Sequence, residues 1–354
     1  MKFINPLFAY FLIIVVASCG NKNENSEWLI PQDQVQSGGS DKDGIPALLN
    51  PEMISAEEAS YLDDDDLVIG FEDRGRAKAY SHKILDHHEI INDRIGSKDI
   101  AITYCPLTGT GIGWDRNFNG SATTFGVSGL LYNSNLIPYD RATNSHWTQI
   151  GLTCVNGKRI GERMNTYPVI ETTWGSWRQM YPETQVISTN TGHIRDYEDY
   201  PYGNYREEDA LLFSVAILDE RLPKKERVHA LVDDELVKVY RLDHFLPNPV
   251  ITDLVNEREI VLVGSPAQKF ITSFENIQVN GEWLNFFPQG GYTTENGFVF
   301  PTVMVDQFGN GYNVFGEVVA GPNQGDQLEP TTSFMAYWFS LTSFYPIPDV
   351  YQLP

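Results

Sequence analysis

The feature that most constrains this chain is a set of turn, aromatic and apolar residues that occurs twice in the same order. Asp140, Asn144, Gly151, Trp174, Tyr181-Pro182 and Val186 recur as Asp306, Asn310, Gly316, Trp338, Tyr345-Pro346 and Val350. Gly151 and Tyr181 stand 30 positions apart, Gly316 and Tyr345 29. Upstream, Asn119-Gly120 before Thr124-Phe125 is echoed by Asn280-Gly281 before Asn285-Phe286. A common order at near-constant spacing is what a duplicated unit leaves in a sequence. Each unit reads as a hairpin, a loop, a short helix closed by Tyr-Pro, and a strand. The expected fold is therefore α+β and β-rich, with two degenerate repeats of strands plus a short helix, about 100–190 and 262–354, packed into one globular unit over 45–354.

Local patterns fill in this frame. Residues 172–180 read as a helix in which Trp174, Trp177 and Met180 form one apolar stripe. Its counterpart, 333–344, is apolar nearly all round and should be buried more deeply, so both Trp174 and Trp338 are expected in the core. Residues 67–71 read as a buried strand and 77–80 as its hairpin partner. Residues 54–59 read as a short helix capped by Ser55.

The N-terminus reads as an address. Lys2 precedes an apolar run from Pro6 to Val16, and Val16-Ala17-Ser18-Cys19 resembles a bacterial lipoprotein signal over 1–19 with Cys19 as the lipidated residue. The run is shorter than the ~20 residues needed to span a bilayer. Residues 20–44 are polar and expected to be a flexible tether. This places the protein in the cell envelope, lipid-anchored and extracytoplasmic, on the periplasmic or outer-membrane face, with the membrane as partner through the lipid. An ordinary cleaved signal with a free Cys19 is the alternative. A chain with 47 Asp and Glu against 25 Lys and Arg, net charge −22, repels phosphate backbones, so nucleic acid is excluded as a partner. With Cys19 lipidated, Cys105 and Cys154 remain, and their spacing suggests two independent thiols, a disulfide between them being the alternative.

Residues 102–150 carry more polar groups than a scaffold requires. Around the turn at 140–149, Ser145, Trp147 and Gln149 share one face by the two-residue period of a strand. With Glu89, Asn133, Ser134, Asp140 and Arg141 they are candidate ligand-binding residues, and a satisfied structural turn is the competing reading. Cys105 ends a strand before Pro106, and His88 is its nearest imidazole in sequence. That pair would suit a transition metal such as copper or zinc, or a nucleophile with its base; a packed cysteine with a capping histidine is the alternative. No Gly-x-Ser-x-Gly, His-Glu-x-x-His, phosphate loop or Cys-x-x-Cys is present.

One family carries these motifs in this order. Leu85-x-x-His88-Glu89-Ile90-x-Asn92-Asp93, Thr103-Tyr104-Cys105-Pro106-Leu107, Phe125-Gly126-Val127-Ser128-Gly129-Leu130-Leu131, Asn133-Ser134, Tyr139-Asp140-Arg141 and Ser145-x-Trp147-x-Gln149 are followed by Pro201-Tyr202-x-x-Tyr205 and Asp219-x-Arg221-Leu222-Pro223-x-x-Glu226-Arg227-Val228. From about Leu67 onward the chain resembles the domain-of-unknown-function family 3179. The resemblance implies an exported protein with its site near these motifs and implies no reaction. Members often read Cys-Pro-Leu-Cys where this chain has Thr108, which removes a dithiol switch and weakens a two-thiolate metal site. Three functions are left open: binding of a small polar ligand or transition metal in the first repeat, an envelope enzyme using Cys105 with His88, and a scaffold without a small-molecule site.

Overall fold

The computed structural model describes residues 27–234, 236–345 and 347–353, so the signal-like segment and Cys19 lie outside the described residues. Strand Leu67–Asp73 turns into Arg76–Ser81 through Arg74 and Gly75, both at positive φ, as a two-residue hairpin requires. Strand Ile170–Thr173 flanks this pair antiparallel on one side and Gln185–Ile187 parallel on the other. The same scheme recurs with Arg227–Asp233 and Leu236–Arg241, flanked by Ser333–Tyr337 antiparallel and Asp349–Val350 parallel. Next comes an antiparallel triple, Ile90–Ile95, Lys98–Cys105 and Thr110–Asp115, matched by Val250–Val255, Arg258–Ser265 and Phe270–Glu275. A four-strand meander starting at Phe125–Tyr132 is likewise matched by one starting at Phe286–Pro288. The strand scheme thus runs over 67–187 and again over 227–350, beginning well before the 100 and 262 expected from sequence.

Registers show which residues stand in for one another. Ile90 faces Thr103 and Val250 faces Val263, a constant difference of 160 positions. Under it Lys78, Tyr80 and Asp93 correspond to Lys238, Tyr240 and Asp253. Lys78 Nζ lies 2.7 Å from Asp93 and the Tyr80 hydroxyl donates to the same oxygen at 2.7 Å; in the second half the distances are 2.6 and 2.7 Å. Later in the halves two matched pairs shift by one residue. Leu152 O accepts from Met164 N as Gly316 O accepts from Leu328 N, so Gly316 corresponds to Leu152, not Gly151; both adopt positive φ. Asp140 N donates to Ser145 O as Asp306 N donates to Asn310 O, so Asn310 corresponds to Ser145, not Asn144, because the second turn is one residue shorter. Trp174 and Trp338 each open a helix, Trp174–Met180 and Trp338–Thr342, and both are buried.

Three local expectations are corrected. Residues 333–337 are strand, because Ser333–Tyr337 pairs along Arg227–Leu231 and only the following residues coil. Residues 54–59 are not a helix: Met53–Ser55 pairs with Gln185–Ile187, and Ser55 N and Oγ both donate to the Glu58 carboxylate, closing a turn. Residues 27–44 are laid on the domain instead of hanging from it. Leu29 N donates to Val155 O, Val35–Ser37 pairs with Leu130–Tyr132, and Asp43 meets Arg141 at 2.8 Å. Between 35 and 55 the chain adds one edge strand to each of the three five-stranded sheets of the first half, and backbone pairing outweighs the polar composition that suggested a tether.

The halves meet reciprocally. Tyr337 N donates to Thr108 O at 2.8 Å, and Thr173 N to Gln268 O at 3.4 Å. Thr173 corresponds to Tyr337 and Thr108 to Gln268, so each half offers its flanking strand to the other's turn, as in an isologous two-fold contact. The largest apolar cluster draws on both, joining Trp177 and Tyr104 to Phe274 and Phe315.

Candidate functional site

The residues singled out from sequence divide into framework and near-site positions. Trp147 is buried among Phe118, Phe125 and Trp114, at ring distances of 5.6, 6.3 and 6.5 Å. Its indole Nε1 donates to Asp140 Oδ2 at 3.3 Å, while Asp140 also accepts from Thr143 N and Oγ1. Ser145 shares a hydrogen bond with Thr143 and accepts from Arg159 N. Gln149 is buried in an amide network with Asn135, Thr103 and Thr110. Arg141 holds Asp43 and Phe125 O, anchoring the N-terminal segment. Asn133 and Ser134, both at positive φ, bind Ser343 O, Ala216 N and Phe213 O, tying the second half and the connector between the halves, residues 188–226, to the first half. The face expected as a ligand floor is filled by the protein itself.

Cys105 and His88 do not form the expected pair. His88 spends both ring nitrogens elsewhere, Nδ1 on Pro46 O and Nε2 on the Tyr197 hydroxyl, each at 2.7 Å. Burial lowers its pKa to about 4. Cys105 is buried with Sγ 3.7 Å from Ser134 O, and burial, aided by the Glu89 carboxylate, pushes its thiol up to about 11. The lowered thiol pKa that metal binding or attack would need is therefore reversed in sign. Among the described residues no group of three His, Cys, Asp or Glu is placed to hold a metal ion. Cys105 and Cys154 are both free and buried. Glu89, at φ 57°, is buried under the Tyr202 hydroxyl, 3.3 Å away, and burial raises its carboxyl to about 7.

Charge converges instead where the halves meet. A cleft of about 300 Å³ is lined by Lys83, Arg206, Arg227 and Lys269, with His82, Tyr104 and Tyr337 among its other walls. His82 and Lys83 open the helix His82–His88, whose Ser81 cap accepts from Lys83 N. Arg227 begins the first strand of the second half and faces Tyr337 across the pair. Lys269 sits in the turn at φ 56°, and Arg206 comes from the connector. Acidic side chains fix three of these cations. Arg227 pairs with the buried Glu171, Arg206 with the buried Asp86 at 2.6 Å, and Lys83 with Asp66 at 3.1 Å. Burial raises the Asp86 carboxyl to about 7 against the pull of Arg206. Burial would raise Glu171 too, but Arg227 and His82 outweigh it and keep the carboxyl below its usual range. Burial lowers the pKa of His82 against the pull of Glu171. Its Nε2 lies 3.4 Å from Glu171 Oε2, yet neither atom makes a hydrogen bond.

The family profile described as protein of unknown function (DUF3179) matches residues 42–348. The chain belongs to this family. The DUF3179 match takes in both halves, the connector and most of the N-terminal edge strands, so every residue of the cleft lies inside it. No curated protein and no solved structure matches the chain. Sequence reasoning missed His82, Lys83, Arg206, Arg227 and Lys269, although Arg227 stands in one family motif and Arg206 directly after another.

Proposed function

We propose that the protein binds a small anionic ligand, a carboxylate, phosphate or sulfate ester, in the cleft between its two halves. The observation that carries this reading is the convergence of four basic side chains on one cleft in a chain of net charge −22. Against them the lining sets two acidic side chains, Asp65 and Asp66. Planar guanidinium groups held in place by buried carboxylates present donors at fixed angles, which suits bidentate recognition of an oxyanion. Tyr104 and Tyr337 add apolar walls that fix orientation. The N-terminal signal motif supports lipid anchoring at Cys19 and an envelope location, where such a protein would meet its ligand outside the cytoplasm. The matched element order supports descent from one duplicated unit, with chemistry gathered where the copies meet.

Titration calorimetry with phosphate, sulfate, citrate and glucuronate, against glucose as the neutral control, tests the reading. Saturable binding of at least one anion and none of glucose is expected, and Lys269→Gln, an exposed change, should weaken it several-fold at low salt and less at high salt. Equal behaviour of anions and glucose would sink it. Anchoring is tested separately: Cys19→Ala should move the protein from the membrane to the soluble fraction, and unchanged detergent partitioning would contradict that part.

A further inference from the structure

The second half carries a cavity that the first half fills with its own side chains. In the first half the guanidinium of Arg159 lies 4.1 Å from the centre of the Phe118 ring and donates to Glu162 Oε2 at 2.9 Å. Phe118 in turn packs on Trp147. The backbone fixes the corresponding positions. Cys154 N donates to Glu162 O, Gly161 N to Cys154 O and Glu162 N to Arg159 O; in the second half Val318 N donates to Asp326 O, Gly325 N to Val318 O and Asp326 N to Asn323 O. Asn323 therefore stands in place of Arg159, and Asp326 in place of Glu162. The short hairpins match Val279 to Phe118, and the meander registers match Tyr312 to Trp147. Three large side chains have become smaller ones, while the carboxylate is kept.

The consequence is a cavity of about 430 Å³ lined by Val279, Tyr312, Asn323, Asp326 and the half-exposed Phe308. Two carboxylates, Asp306 and Asp326, face it, and no Lys or Arg lines it. Asp306 is saturated by Phe308 N, Asn310 and the Tyr312 hydroxyl. Among the described residues the Asp326 carboxylate accepts only from Asn323 Nδ2, at 3.2 Å.

We infer that this second-half cavity binds an external organic cation of the guanidinium class, which takes the place Arg159 occupies in the first half. A planar guanidinium would set two N–H groups on the Asp326 carboxylate and lay its face against Phe308 or Tyr312, combining a charge-assisted hydrogen bond with cation–π attraction. The site is separate from the cleft where the halves meet and does not depend on that reading.

The test is calorimetric titration of the full chain with agmatine and with a capped Gly-Arg-Gly peptide, propylurea serving as the neutral isostere. Agmatine should bind saturably and propylurea at least roughly tenfold more weakly, as loss of a charged partner does. Peptide binding alone would name a protein arginine as the natural source, and agmatine binding a free guanidino compound; either supports the site. Asn323→Arg should abolish binding by restoring the internal cation, and Asp326→Asn, at an exposed position, should weaken it roughly tenfold. Absence of saturable binding by both cations, equal binding of propylurea, or unchanged affinity in Asn323→Arg would overturn the proposal.

Discussion

The two halves keep the same frame with different contents. Where both carry the same residues, as in Lys78-Tyr80-Asp93 and Lys238-Tyr240-Asp253, the group buries a carboxylate under a lysine and a tyrosine beneath the hairpin. Where they differ, the first half has Tyr104-Cys105, Asp86 and Glu89, and the second has Gly264-Ser265, Leu246 and Pro249. The contrast separates what holds the sheet from what is special to one copy. Arg227 and Glu171 make the same point at the contact between halves: their counterparts are Leu67 and Met335, so the charge there belongs to one side of the approximate two-fold only.

The largest expected effects fall on the shared frame. Trp174→Ala and Trp338→Ala should each cost roughly 3 to 5 kcal/mol in denaturant unfolding, since both indoles are buried at the start of equivalent helices. A large loss from one and none from the other would break the equivalence. Lys78→Met strands the Asp93 carboxylate, whose side chain is 5% exposed, and should cost about 3 kcal/mol or more. Lys238→Met should cost less, because Asp253 is 15% exposed and water can take over part of the role.

A pH experiment sharpens the contrast, because Pro249 stands where the first half has Glu89. Glu89 has a folded pKa of about 7, above its ordinary value of 4.5. Between those values the folded state holds a proton that the unfolded state has released, so stability should fall as pH rises from about 4.5 to 7 and level off beyond. A shift of that size corresponds to roughly 3 kcal/mol. Asp86, likewise raised to about 7, slopes the profile the same way, so Glu89→Gln should reduce the fall without abolishing it and be more stable than the parent at pH 8. A parent profile that rises across this window would contradict the burial argument. The smallest expected difference is between the thiols. Both are buried, and in both burial pushes the pKa to about 11, so Cys105 and Cys154 should resist iodoacetamide equally at pH 8 until the protein unfolds. Fast labelling of Cys105 alone would restore a chemical role for it.

Much of the frame was legible in the sequence because turns and large aromatics leave residue-specific marks. The tryptophans at the helix starts and the Asp that ends a strand are such marks. The earlier part of each half was hidden because Lys78, Tyr80 and Asp93 are ordinary residues one at a time, and only the strand registers show that they act together. The candidate site was misjudged for a related reason. Asp140, Ser145, Trp147 and Gln149 carry polar groups in and beside strands, which from sequence look like a lining, but folding turns each toward a partner in the protein. His82, Arg206, Arg227 and Lys269 are far apart in sequence and come together only when the two halves dock, which no local pattern records.

The central claim is that the anion site lies where the halves meet and is built from unrepeated charges. The most direct measurement is the side-chain Nε–H NMR spectrum of the arginines during titration with the tightest-binding anion. The account predicts saturable shifts at Arg206 and Arg227, with Arg94 and Arg195 unmoved. Shifts confined to arginines outside the cleft, or no saturable shift at Arg206 and Arg227, would contradict it.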